Sequence, residues 1–182
     1  MTPEITPSIQ ARSGRYINFV ALDPSVFCIH DIAHALSHTC RFGGLTRSFH
    51  SVVQHSVLVS YLVPECDQFA ALMHDAAEAY VGDVPTPLKQ LLPEFKIIEK
   101  RIETSLFEKF GLYDGMPVSV KKADLIMLVT EQRDLMNAKN DDEEWGVIAD
   151  IPHAPFRIKP QSPEQARKSF LDRFNQLSKV RR

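Results

Sequence analysis

His74-Asp75 and Glu78 put an imidazole and two carboxylates into one short run that is otherwise apolar or alanine (Phe69, Ala70, Ala71, Leu72, Met73, Ala76, Ala77). If residues 67 to 80 form one helix, all three share a face, because residues three and four apart are helical neighbours. Burying such a group against alanines is costly unless a cation satisfies it. Nitrogen with carboxylate oxygen is the donor set of a divalent metal ion. The His-Asp dipeptide alone is a weak signal: seven histidines in this length give roughly half an occurrence by chance, and His30-Asp31 is a second one. His55 lies on an apolar stripe with Val52, Val59 and Leu62. A histidine there is either a hydrogen-bonded core residue or a ligand. Asp124 sits inside KKADLIMLVT, behind Lys121 and Lys122. A carboxylate buried at that place needs a lysine or a metal.

In chain order, His55, His74-Asp75 and Asp124 on three separate helices make an H…HD…D series that resembles the HD-domain phosphohydrolase superfamily. Arg41-Phe42, Ser51-Val52-Val53-Gln54-His55-Ser56, His74-Asp75-Ala76-Ala77-Glu78, Gly82-Asp83-Val84-Pro85-Thr86-Pro87-Leu88-Lys89 and Lys122-Ala123-Asp124 resemble its deoxynucleotidase branch, and the likeness runs from about residue 30 to 136. The resemblance implies that His55, His74, Asp75 and Asp124 hold a divalent transition metal (Zn, Co or Mn, with Mg as an alternative). It implies that Glu78 and Asp83 stand beside that ion to position water, move protons or hold a second ion. Arg41 would contact a substrate phosphate. Phe42 stands where some members carry a tryptophan that packs on the sugar and disfavours a 2′-hydroxyl. Lys89 is a second phosphate contact or a plain solvated lysine.

Those roles agree with the chemistry. Phosphate-ester hydrolysis at neutral pH needs a hydroxide equivalent, which a divalent ion supplies by lowering the pKa of water. A guanidinium such as Arg41 neutralises charge on the transferring group. No P-loop glycine pattern is present, which argues against an ATP-coupled kinase or ATPase. The expected activity is metal-dependent phosphohydrolysis of 2′-deoxynucleotides, with the compact bacteriophage dNTP (dATP) triphosphohydrolase as the leading form. The alternatives are a 5′-deoxynucleotidase on dNMPs, and phosphodiesterase or 3′-exonuclease action at the same metal site. A non-enzymatic HD sensor or scaffold is disfavoured, because such modules lose ligands and here all four are present with both accessory acids.

The remaining histidines divide differently. His30, His34 and His38 recur every four residues; they read as surface or structural residues, with pocket lining as the other option and Asp31 as a helix cap. His50 is an option for the mouth of the site, and His153 belongs to a loop. Cys40, beside Arg41, has no His-Asp relay and reads as a buried thiol.

The elements that must position these residues are helices. An all-α HD-domain helical bundle with a small N-terminal β-hairpin is expected, forming a single domain over residues 1–182. The hairpin is placed in GRYINFVALDPSVFCI, on both sides of Asp23-Pro24. Helices are expected from Asp31 to the Gly43-Gly44 stop, from Ser51 to Val63 before Pro64, and from Asp67 to Tyr80. DVPTPLKQLLP holds a short helical piece. EFKIIEKRIETSLFEKF is amphipathic, with Ile97, Ile98, Ile102, Leu106 and Phe110 on its apolar face. VSVKKADLIMLVTEQRDLM is expected to be largely buried. Residues 137–160 read as an ordered surface loop containing Trp145, and a final helix runs from Pro163 to Leu177.

Composition bounds the rest. The chain has 182 residues, 44% of them hydrophobic, and a net charge of −2. That length suits one domain burying roughly 70% of its unfolded surface. Without a global positive field, no stable nucleic-acid complex is expected. No apolar run reaches the ~20 residues of a membrane span, and the N-terminus lacks a signal pattern. Cys28, Cys40 and Cys66 show no CxxC pairing and suggest a reducing cytoplasm, the host's if the chain is phage-encoded. The expected partner is a deoxynucleotide substrate, with a homo-oligomer formed through helices such as 95–110.

Overall fold

The computed structural model describes residues 6–113, 115–137, 148 and 150–181. The N-terminus pairs β1 (Ser8–Gln10) with β2 (Tyr16–Asn18) in antiparallel register, Ile9 opposite Ile17. The helices follow as α1 (Ile29–His38), α2 (Val52–Val59), α3 (Gln68–Met73), α4 (Glu78–Val81), α5 (Thr86–Lys89), α6 (Pro93–Phe110), α7 (Val118–Leu135) and α8 (Pro163–Val180). The chain is therefore mostly helical with one small two-stranded sheet. No helix among the described residues is long and apolar enough to cross a membrane.

Local chemistry sets the helix limits. Ser51 caps α2 by accepting the Gln54 N–H. Ser162 and Gln165 form a reciprocal capping box at the start of α8. Gly111, left-handed at φ 69°, closes α6. Apolar side chains then gather into two clusters. Ile32, Leu36, Val53, Phe69, Leu72, Ile102, Leu106 and Phe170 belong to the first; Val59, Ala70, Ala71, Ala123, Met127 and Leu135 belong to the second. Both draw on α2 and α3, so the helix that carries His55 and the one that leads into His74 are held from two sides.

Several expectations are corrected. The hairpin lies earlier than Asp23-Pro24: its turn is at residues 11–15, where the Gly14 N–H returns to Ala11 O. Asp23 instead caps a short 3₁₀ turn, Pro24–Val26. Asp31 is inside the first turn of α1, not at its cap; it accepts the Ser13 N–H (2.9 Å) and hydroxyl (2.6 Å), tying the hairpin to the bundle. The helix expected over 67–80 is interrupted at residues 74–77, between α3 and α4, where bonds run from Ala76 N–H to Met73 O and from Glu78 N–H to Asp75 O. Ile97 (62% exposed) and Ile98 (38%) do not join the core face of α6. On α7 one face only is buried, and Val118 and Leu125 are exposed. Trp145 and the first part of the expected 137–160 loop (138–147, with 149) lie outside the described residues.

Candidate metal centre

Three segments converge on one point. α2 contributes His55, the tight turn after α3 contributes His74 and Asp75, and α7 contributes Asp124. His55 Nε2 lies 3.1 Å from Asp124 Oδ1 and 3.7 Å from Asp75 Oδ2. His74 Nε2 lies 3.1 Å from Asp75 Oδ2 and 4.0 Å from Asp124 Oδ1. One donor atom each from His55, His74 and Asp124 fits within 4.8 Å. Donors bonded at ~2.1 Å to one ion stand about 3–4 Å apart, so the residues fit a divalent metal.

The tautomers fit as well. His55 Nδ1 donates to Glu131 Oε1 at 2.6 Å, and His74 Nδ1 donates to Ala71 O at 2.8 Å. Both Nε2 atoms are left buried without a hydrogen bond. This is the arrangement of ligating histidines, whose second ring nitrogen is fixed by an outer acceptor. Among the described residues, six buried side-chain atoms lack partners. Four are here: His55 Nε2, His74 Nε2, Arg41 Nε and Glu78 Oε2. Buried polar groups are ordinarily bonded, so such a concentration marks a ligand site.

The charges are strongly interdependent. Burial is the largest influence on His55 and opposes its protonation, as does Arg41; Glu131 and Asp124 outweigh both and raise the imidazole to about 9. Burial also pushes Asp75 upward, but His74, His55 and Arg41 bring it below the usual carboxylate range. Glu78 goes the other way. Its burial, then Asp75 and Asp83, hold its carboxyl well above the ordinary value. Asp83 is raised by burial and by Asp75, against the opposing pull of Arg41. Two neighbouring carboxyls are thus raised while those of Asp75 and Asp124 are lowered, the kind of separation found between acids with different roles.

Arg41 stands where it can reach this centre. Its guanidinium donates to Glu131 Oε2 at 3.0 Å and lies 3.9 Å from Asp83 Oδ2. The turn Arg41–Gly44 is strained: Phe42 is the one non-glycine residue with positive φ (54°) among the described residues. Its ring is 5.4 Å from the Arg41 guanidinium. A cleft of about 370 Å³ opens at His74, Asp75 and Glu78 and is also lined by Lys89, Lys100 and Lys121. Lys89 donates to Glu99 at 2.7 Å and lies 4.0 Å from Glu78, so it borders the cleft as an ion-paired residue and not as a solvated one.

The other histidines fall elsewhere. His34 and His38 stack on each other along α1, rings 4.5 Å apart, and His30 is exposed. His50 is not at a mouth but fully buried, its Nε2 2.9 Å from Glu131 and its Nδ1 3.3 Å from Gln54 Oε1. Cys40 is half-buried in a bridge with Ser51.

Glu131 is the residue that the sequence reading missed. It is fully buried and accepts from His50, His55 and Arg41. Burial pushes its carboxyl up, yet His55, Arg41 and the His50 bond hold it well below the usual range. A signal existed: Glu131 is seven residues after Asp124 on one apolar helix, two turns along the same face.

No family model matches the chain. It is 45% identical over 175 residues to the uncharacterized protein YfdR of Escherichia coli (strain K12), covering 96% of this chain and 97% of that one. It is 32% identical over 181 residues to the uncharacterized protein RCAP_rcc00048 of Rhodobacter capsulatus, covering 91% and 92%.

Proposed function

The chain belongs to the family of YfdR and RCAP_rcc00048, and from its own site we propose that it is a metal-dependent phosphohydrolase of the HD-domain type acting on 2′-deoxynucleotides. The observation that carries this is the convergence of the buried Nε2 atoms of His55 and His74 on the carboxylates of Asp75 and Asp124, at 3.1 to 4.0 Å. His55, His74, Asp75 and Asp124 would hold the ion. A divalent ion there lowers the pKa of water and polarises a phosphoryl oxygen.

The chain's own residues supply the rest. Arg41, with its Nε unpartnered, is placed to donate to a phosphate oxygen. Glu78, whose carboxyl burial and Asp75 raise well above its ordinary value, is placed to give or take a proton at its free Oε2. Asp83 keeps Arg41 in reach. The cleft's size is that of a nucleotide-scale pocket. Its lysines are interspersed with Glu78, Glu99 and Glu103, which suits a single anionic small molecule better than a DNA strand. Release of triphosphate from dNTPs is the favoured reaction, dATP the favoured base, and the cytoplasm the favoured place of action, in keeping with three unpaired cysteines.

The test is a product panel. Metal-free protein reloaded with Mn²⁺, Co²⁺ or Zn²⁺ is incubated with dNTPs, dNMPs and rNTPs. Release of triphosphate from dNTPs is expected, and a failure to release any phosphate species from any deoxynucleotide overturns the reading.

A further inference from the structure

We propose that Glu131 is the positioning residue that holds the metal-binding histidine and the phosphate-binding arginine in register, so that affinity for the ion and affinity for phosphate are set together. This rests on the functional reading above. Glu131 touches neither the ligand space nor solvent, and its side chain is 0% exposed. One oxygen, Oε1, takes His55 Nδ1 at 2.6 Å and His50 Nε2 at 2.9 Å. The other, Oε2, takes Arg41 at 3.0 Å. These partners come from α2, from the segment before it and from the Arg41–Gly44 turn, 76, 81 and 90 residues away in sequence.

Three donors meet at one side chain, and only an ionised carboxylate offers acceptors on both atoms. Glutamine would keep the shape but present N–H groups to at least one donor, leaving a buried clash of like groups. Through Oε1, Glu131 fixes His55 with Nε2 turned to the centre. Through Oε2, it anchors an arginine whose backbone runs into the strained Phe42 turn. His50 in turn is braced by Gln54, which donates to Lys159 O at 2.8 Å and accepts the Gln161 N–H at 3.1 Å. The carboxylate is therefore fixed from behind, and displacement of either functional residue is felt by the other. Coupling of this kind is reciprocal: phosphate strengthens ion binding by the factor by which the ion strengthens phosphate binding.

The experiment is a Co²⁺ titration of the full, metal-free chain followed by visible absorption, with and without inorganic phosphate, on wild type, Glu131→Gln and Glu131→Asp. Circular dichroism identifies the folded variants; the aspartate variant keeps the charge should the glutamine variant not fold. Wild type is expected to bind Co²⁺ more tightly with phosphate present. Outer-sphere partners of ligating histidines are typically worth 10–100-fold in metal affinity, so Glu131→Gln is expected to weaken Co²⁺ binding by that factor. It should also alter the absorption bands and lose most of the phosphate enhancement, with Glu131→Asp in between. A folded variant with wild-type affinity, spectrum and phosphate enhancement overturns the role of Glu131 and leaves the functional reading standing. Wild type that takes up no Co²⁺ overturns both.

Discussion

His55 and His74 meet with ring centroids 5.3 Å apart and planes tilted by 46°, one from a capped helix and the other from the tight turn that follows a helix. Their Nδ1 atoms are both engaged by protein acceptors, so their Nε2 atoms share the space bounded by Asp75 and Asp124.

The first consequence is a pH dependence. His55 is raised from 6.5 to about 9, so its protonated form stabilises the metal-free fold. That stabilisation is complete below about 6.5 and is lost as pH rises through about 9. A ligating imidazole must be neutral, so metal uptake expels this proton. The melting-temperature gain from a fixed excess of Co²⁺ should therefore grow between pH 6.5 and 9 in scanning calorimetry. At an excess of 100 times Kd the stabilisation is about 2.7 kcal/mol, roughly 5–10 °C for this length. A gain that shrinks over that range removes His55 from the ligand set.

Glu78 sets function against stability. Its raised value means that it favours the fold at low pH, and that this is lost as pH rises from the ordinary carboxylate range through the folded-state value. Glutamine cannot ionise. Metal-free Glu78→Gln is therefore expected to melt above wild type at pH 8, with the difference vanishing near pH about 4. Its turnover should fall about 10²-fold or more. A variant less stable than wild type at pH 8 would contradict the raised carboxyl.

Much of the site was legible in the sequence: His74, Asp75 and Glu78 are chemically costly residues among apolar ones, whereas His55 and Asp124 joined them through the HD-domain resemblance. His55, His74, Asp75 and Asp124 do converge, with Arg41, Glu78 and Asp83 around them. What periodicity could not show was the interruption at 74–77. There the backbone bonds tighten to run three residues back, Ala76 N–H to Met73 O and Glu78 N–H to Asp75 O, against the helix preference of Ala76 and Ala77. Glu131 stayed hidden because the partners that bury its carboxylate lie more than 70 residues away. Ile97 and Ile98 show the opposite error: a correct apolar stripe does not say how much of it is covered.

Asp134, three residues on, does a structural job. It accepts from Arg133 (2.7 and 2.9 Å) and from the Ile158 N–H (2.9 Å), and pairs with Arg157, fastening the segment before α8 to the end of α7. Burial raises its carboxyl, but these donors bring it below the usual range. The stabilisation is present above the ordinary value of 3.8 and is lost as pH falls through the depressed one. Asp134→Asn should cost about 2 kcal/mol at pH 7, about 4–8 °C in melting temperature. The gap from wild type should narrow in melts run below pH about 4.

Arg173 is a buried cation with no carboxylate within ion-pairing distance among the described residues. Its donors go to Ser60 Oγ (3.1 Å), Ser60 O (3.2 Å), Gln68 (2.8 Å) and Gln176 (2.8 Å), and its plane lies 4.2 Å from the Tyr61 ring. Lysine keeps the charge but neither the fork nor the stacking. Arg173→Lys is expected to lose about 2 kcal/mol of stability in urea unfolding while Co²⁺ affinity stays at the wild-type value. A loss of metal affinity equal to that of a ligand variant would show that α8 shapes the centre directly.

Phosphorus NMR of dATP and dAMP incubated with Co²⁺-loaded protein, wild type beside Asp75→Ala, tests hydrolysis at this centre most directly. Wild type is expected to release inorganic triphosphate from dATP, and Asp75→Ala, which loses a carboxylate 3.1 Å from His74 and 3.7 Å from His55, is expected to lose metal and product together. No phosphate product from either nucleotide, or equal rates from wild type and variant, would contradict metal-dependent phosphohydrolysis at His55, His74, Asp75 and Asp124.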